Sequence, residues 1–278
     1  MATTLGNAGE RAGTVSSDTQ TQLADDGYCI LPDVLTANEA ADALDALHRA
    51  AEAARTRGHA TFMPALDPNA SNVRVFYLLA LDPIFRALIR HSRAIDIVER
   101  LLGPDFMISN FTANIALPGS GSMALHSDQG IVVPGPWLQP WTVNIIWCLT
   151  DCHTDNGATL FIPGSHRWTS RDDIPADAID RLRPFEAKAG SIIAMDGRVW
   201  HTSGANVTEN EERALLFGYY TKPFLRPQVN WNALLSADLQ AEADPWMRQK
   251  LGLDVTANTT GANDLATYLD GSQAEAAP

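Results

Sequence analysis

Three residues in the second half of the chain have the types needed to hold a redox metal: His126 and Asp128 in LHSD, and His201 in VWHTSG. Two imidazoles and one carboxylate on one face of a metal leave three positions open. That is the arrangement of non-haem iron(II) oxygenases, in which an oxo-acid takes two of those positions and dioxygen the third. His126 and Asp128 are two residues apart, so on an extended strand both side chains leave the same face. The third ligand must then come from a strand adjacent in space, and His201 lies 75 positions on (201 − 126). H-x-D by itself also arises by chance. His153 and His166, in the polar segments DCHTDN and PGSHRW, read as solvated or hydrogen-bonding histidines.

Arg213 adds a second chemistry. In RALLFGYYT the residues Arg213, Leu215, Phe217 and Tyr219 share one strand face. An arginine at the head of an apolar face is costly to bury unless an anion answers it. A guanidinium suits the far carboxylate of a dicarboxylate; pairing with Glu211, Glu212 or another carboxylate is the alternative.

These residues need a scaffold. Residues 1–17 are small and polar without periodicity and read as a disordered tail, followed by one domain over 18–255 and a loose tail over 256–278. Within the domain, 36–103 is expected to be helical. Thr36-Ala-Asn-Glu39 is a capping box opening a helix to about Arg55, and a second helical region over 82–102 stops at Gly103-Pro104. Residues 104–225 hold short β-type runs: FMISNFTANIAL, MALHSD, WTVNIIWCLT, ATLFIP, SIIAMD and ALLFGYYT, most of them separated by turn residues. GYCILPDVL at Gly27–Leu35 is a further strand candidate, and helices are expected within 230–255. The fold class is mainly β with flanking α-helices.

Composition excludes several functions. Lys plus Arg is 20 against 33 Asp plus Glu, a net charge of −13, which disfavours a nucleic-acid partner. No apolar run is long enough for a membrane span, and the N-terminus lacks a secretory pattern. Three cysteines, Cys29, Cys148 and Cys152, argue against a disulfide framework and for a reducing, cytoplasmic setting, with Cys148 and Cys152 read as packing residues. The sequence leaves the oligomeric state open, a homodimer included.

With these residues laid out, the chain resembles the phytanoyl-CoA dioxygenase (PhyH) family of iron(II)/2-oxoglutarate oxygenases. The matches are HSD, NGATLFIPGSH at Asn156–His166, AGSIIAMDGRVWHTSGAN at Ala189–Asn206, an arginine twelve residues after the distal histidine, and a similar front half. They span roughly residues 20 to 230. The resemblance implies a double-stranded β-helix (jelly-roll, cupin-like) core, iron(II) held by His126, Asp128 and His201, and 2-oxoglutarate gripped by Arg213. It further implies a co-substrate contact from Thr159 and another from Arg74. Dioxygen is the second co-substrate, and succinate and carbon dioxide leave with the oxidised product. An aspartate at 128 favours oxygen insertion over halogenation, for which relatives carry a small residue there. Met123 departs from the glutamine several relatives place three residues before the first metal histidine, and Gln129 is a candidate to compensate. The arginine spacing, one longer than in many relatives, reads as a longer turn through Thr208–Glu212.

The substrate is expected to be a small hydrophobic molecule, a natural product or lipid-like; the acidic balance gives no support to a coenzyme-A thioester. Candidate pocket residues are Met123, Gln129, Asn114, Trp137 and Trp200, with Asn110 and Thr112 on the same strand face as Asn114. The Pro- and Gly-rich loop Gln129–Trp141 is a candidate lid. The competing readings are a metal-dependent hydrolase or isomerase on a cupin-like barrel and a non-catalytic protein that keeps the fold. PGSGSMAL lacks the G-x-S-x-G of a serine hydrolase.

Overall fold

The computed structural model describes residues 16–254; the expectations for both outer tails therefore fall largely outside the described residues. The first element is a helix that the sequence did not signal, α1 at Ser17–Asp26. The Ser16 hydroxyl accepts from the Thr19 amide at its start, and Gly27 ends it with φ of 83°. Its sequence, SDTQTQLADD, has no apolar stripe, which is why it gives no helical signal. Gly27 is required twice over: its φ is positive, and an added Cβ would lie 2.6 Å from His166 Nδ1 and from Val199 Cγ2.

Strand β1 (Tyr28–Leu31) leads to α2 (Ala37–Thr56), whose capping box between Thr36 and Glu39 forms in full. After β2 (Asn72–Val75), the second helical region is two helices rather than one. α3 (Pro83–Leu88) and α4 (Ser92–Leu102) break at His91, which is extended and packs edge-on against the Trp147 ring. Then follow β3 (Met107–Ala116), β4 (Thr142–Cys148), β5 (Thr159–Phe161), β6 (Arg183–Pro184), β7 (Ile192–Asp196), β8 (His201–Ser203) and β9 (Arg213–Thr221). Three short helices close the described chain: α5 (Trp231–Leu234), α6 (Ala237–Glu242) and α7 (Pro245–Leu251).

The strands form two sheets. The larger runs β1-β7-β4-β9-β3-β2 and the smaller β6-β5-β8, with antiparallel pairing throughout. One face of the large sheet packs on α2, α3 and α4 through Leu47, Phe85, Ile97, Phe111, Ile145 and Leu216. Register places three rows on the other face. Asn144, Tyr219 and Asn110 make one, Ile146, Phe217 and Thr112 the next, and Cys148, Leu215, Asn114 and Arg74 the third. The odd-numbered face of β9 therefore looks where the sequence placed it, toward the site.

Candidate metal centre and active site

The expected MALHSD strand is a single bridge. His126 and His201 are paired residues that exchange both main-chain hydrogen bonds, at 3.0 and 2.8 Å. Directly paired residues project to the same side, so the rings stand 4.3 Å apart. Ser127 is extended, and Asp128 opens a short 3₁₀ turn, Asp128–Ile131. One extended residue is enough to return Asp128 to the histidines' side. Its Oδ1 lies 3.9 Å from His126 Nε2 and 3.8 Å from His201 Nε2.

Each histidine is held in one tautomer. His126 Nδ1 lies 2.9 Å from the Ala124 carbonyl and His201 Nδ1 3.0 Å from that of Val199. A carbonyl only accepts, so Nδ1 carries the proton and Nε2 offers its lone pair. Burial, then the neighbouring His126, pushes His201 down to about 4, with Asp128 pulling the other way. His201 is thus neutral at pH 7. The three ligand atoms lie within 4.8 Å of one another, and this donor set fits iron(II) with one side left open.

That side is a cavity of about 550 Å³, within the usual range for small-molecule sites. Arg213, only 1% exposed, lies in its wall. Both acidic neighbours weighed as partners are engaged elsewhere: Glu211 with His153 at 2.8 Å and Glu212 with His48 at 2.7 Å. Arg213 donates instead to the carbonyls of Gly157 and Asn114, and no ion pair among the described residues includes it. Burial pushes its guanidinium down to about 10, so it stays a cation at neutral pH. Thr159 and Asn114 line the same wall, and the Asn114 Nδ2 is buried without a partner among the described residues. A buried cation and an orphaned donor fit a carboxylate ligand.

Other expected residues stand differently. Arg74 lines the cavity, but its guanidinium is already paired with the buried Asp67 at 2.7–2.9 Å, with a further contact to Met123 Sδ at 3.3 Å. Met123 is in the wall; Gln129 does not replace its missing amide. The Gln129 side chain is fully buried and staples the ends of its own loop, donating to Gln139 O and accepting from the Trp141 amide. Trp137 and Trp200 do not line the cavity: they pack with Ile162 and Ala178 in a separate cluster. Asn110 and Thr112 do line it, as does Ile131 of the candidate lid loop, joined by residues that sequence reasoning missed: Leu66, Phe76, Asn144, Arg171 and Gln228. Of these, Asn144 was visible as an amide inside an apolar strand.

The family model of the phytanoyl-CoA dioxygenases (PhyH) matches residues 23–214. Dioxygenase af480 of Aspergillus fumigatus is 52% identical over 236 residues, covering 85% of this chain and 76% of that protein. The chain belongs to the phytanoyl-CoA dioxygenase family. A second curated relative, dioxygenase andF of Emericella variicolor, is 26% identical over 56% of each chain. Among solved structures, HygX from Streptomyces hygroscopicus, with nickel and 2-oxoglutarate bound, superposes with a TM-score of 0.62 at 16% identity, covering 81% of this chain and 94% of its own. The α-ketoglutarate-dependent epimerase SnoN from nogalamycin biosynthesis gives 0.60 at 22% identity, covering 82% and 91%. The jelly-roll core expected from the sequence is therefore present. This PhyH-family member is an iron- and 2-oxoglutarate-dependent dioxygenase.

Two expected results arise directly from this geometry. His201 has an ordinary value near 6.5 in the unfolded chain and about 4 when folded. Between those values the unfolded state binds more protons, so stability falls as pH drops from about 6.5 to 4, by on the order of 3 kcal/mol for this group. His91 and His166, also pushed down by burial, act in the same direction. Urea midpoints of metal-free protein at pH 7 and pH 4 measure the loss. The second concerns the loop: Gln129→Ala removes two buried hydrogen bonds and is expected to cost about 1–3 kcal/mol. Iron affinity should be unchanged, with faster proteolysis or amide exchange within 129–141. That loop exposes Ile131, Val133 and Leu138 at 62, 71 and 72%.

Proposed function

We propose that His126, Asp128 and His201 hold the iron, that Arg213 with Thr159 receives the far carboxylate of 2-oxoglutarate, and that the enzyme oxidises an unactivated C–H bond of a small, largely apolar molecule. The observation that carries this reading is an uncompensated buried cation, Arg213, in the wall of the same cavity as the three clustered ligand atoms. A metal-dependent hydrolase or isomerase has no need of such a cation. When bound, iron(II) and 2-oxoglutarate supply the oxidant from dioxygen, releasing succinate and carbon dioxide.

The chain's own residues bind, orient and exclude water. The two Nδ1–carbonyl bonds aim the imidazoles, and Arg213 sets the direction of the co-substrate by fixing its distal end. Arg74, neutralised by Asp67, serves as wall rather than clamp. Leu66, Phe76, Ile131, Ile146 and Phe217 give the remaining space an apolar lining, interrupted by the neutral groups of Asn110, Thr112 and Gln228 and by the side chain of Arg171. Such a lining suits a natural-product or lipid-like substrate bearing few polar groups. The place of the solved neighbour SnoN in nogalamycin biosynthesis supports the same class. Three buried free thiols, Cys29, Cys148 and Cys152, support a cytoplasmic setting, and the net charge of −13 supports the absence of a nucleic-acid partner. Among the described residues no helix is long and apolar enough to cross a membrane.

The test is an anaerobic titration of purified protein with iron(II) and 2-oxoglutarate, followed by the visible metal-to-ligand charge-transfer band. The band is expected in the wild type and absent in His126→Ala. A wild type without it, or an undiminished band in His126→Ala, overturns the assignment.

A further inference from the structure

Strand β4 is buried at all seven of its positions, and its sequence TVNIIWC is mostly apolar. Asn144, 7% exposed, sits in its middle between Met195 of β7 and Tyr219 of β9. Its Nδ2 donates to Asp128 Oδ2 at 3.0 Å, while its Oδ1 is buried with no partner among the described residues. An ionised carboxylate only accepts, so the NH₂ end must face Asp128 and the amide has one working orientation. Burying an amide with its oxygen unanswered costs stability; the one bond gained goes to the carboxylate oxygen other than the Oδ1 that faces the histidines. From the neighbouring strand, the Tyr219 hydroxyl donates to the main-chain oxygen of Asp128 at 3.0 Å. One contact fixes the rotation of the carboxylate, the other the backbone that carries it.

We infer that Asn144, assisted by Tyr219, is a positioning residue that keeps Asp128 a one-oxygen ligand by capping Oδ2 while Oδ1 faces the metal. The inference rests on the metal-site reading above. The terminal torsion of an aspartate is broad, so an uncapped carboxylate is free to turn away or to present both oxygens. The second course fills a coordination position that the co-substrates need.

The test uses the full-length metal-free protein, titrated anaerobically with iron(II) by calorimetry. Asn144→Leu, close to isosteric, is expected to weaken iron affinity about 10–100-fold, the range typical of groups that orient metal ligands. Its metal-free melting temperature should not fall, and its metal-induced rise in melting temperature should shrink. Tyr219→Phe should weaken affinity in the same direction by less. Cobalt(II) as a spectroscopic stand-in should show an altered visible spectrum in Asn144→Leu, which a packing role alone does not produce. If Asn144→Leu fails to fold, Asn144→Ser, too short to reach Oδ2, is measured with the same expected loss. Wild-type affinity in the Asn144 variant, with or without a lower metal-free melting temperature, overturns the inference and assigns Asn144 to packing. His126→Ala separates the two levels. If it retains wild-type affinity, the metal-site reading itself fails. If it loses affinity while the Asn144 variant does not, this inference fails alone.

Discussion

Arg213→Met is expected to bind iron(II) as the wild type does and to bind 2-oxoglutarate about 10²–10⁴-fold more weakly. The magnitude follows from two charge-assisted hydrogen bonds at ~1.5–3 kcal/mol each. Stability should respond differently from binding. The guanidinium is buried with two carbonyls and no carboxylate, so methionine removes an uncompensated charge while taking a donor from the Gly157 and Asn114 carbonyls. These effects oppose one another, and the variant's metal-free melting temperature should stay close to that of the wild type. Calorimetric titration of 2-oxoglutarate into the iron-loaded protein, beside a thermal melt, measures both. A variant that binds 2-oxoglutarate normally would remove Arg213 from the site.

His201→Ala should have the largest effect of any single change. It removes a ligand outright, so iron affinity should fall by more than the ~10–100-fold that orienting groups command, and substrate-independent succinate release should disappear. It also removes the site histidine that burial pushes down to about 4. The variant should therefore lose less stability than the wild type between pH 6.5 and 4. The combination matters: abolished metal binding together with a flatter acid limb distinguishes loss of a buried neutral ligand from general misfolding.

How far the site could be read from sequence depended on whether each residue's partner lay nearby in the chain. His126 and Asp128 were readable because one extended residue between them fixes their side. Arg213 was readable because alternation along β9 is strict. The Thr36–Glu39 capping box was readable because all its atoms are local. The pairing of Arg74 with Asp67 was not, since Asp67 lies in a preceding irregular segment. Gln129 followed the aspartate in sequence and so looked like a site residue, but the returning loop brings Gln139 and Trp141 back to its amide. Trp137 and Trp200 were placed near the metal by proximity in sequence, whereas packing draws both into a satellite core. α1 escaped because its stability comes from caps and docking against His166 rather than from an apolar face.

The paired histidines have a consequence for how the metal centre comes into being. Because His126 and His201 face each other across one bridge, the site exists only once a loop of 75 residues has closed. That loop contains β4 and β7 of the larger sheet and β5 and β6 of the smaller, so closure draws on strands of both sheets. A partly folded chain offers H-x-D alone, a poor competitor for iron. Metal capture is thereby tied to closure of that loop, and bound iron in turn acts as a clasp across the 75 residues between the two histidines. Loading and folding are two views of one equilibrium.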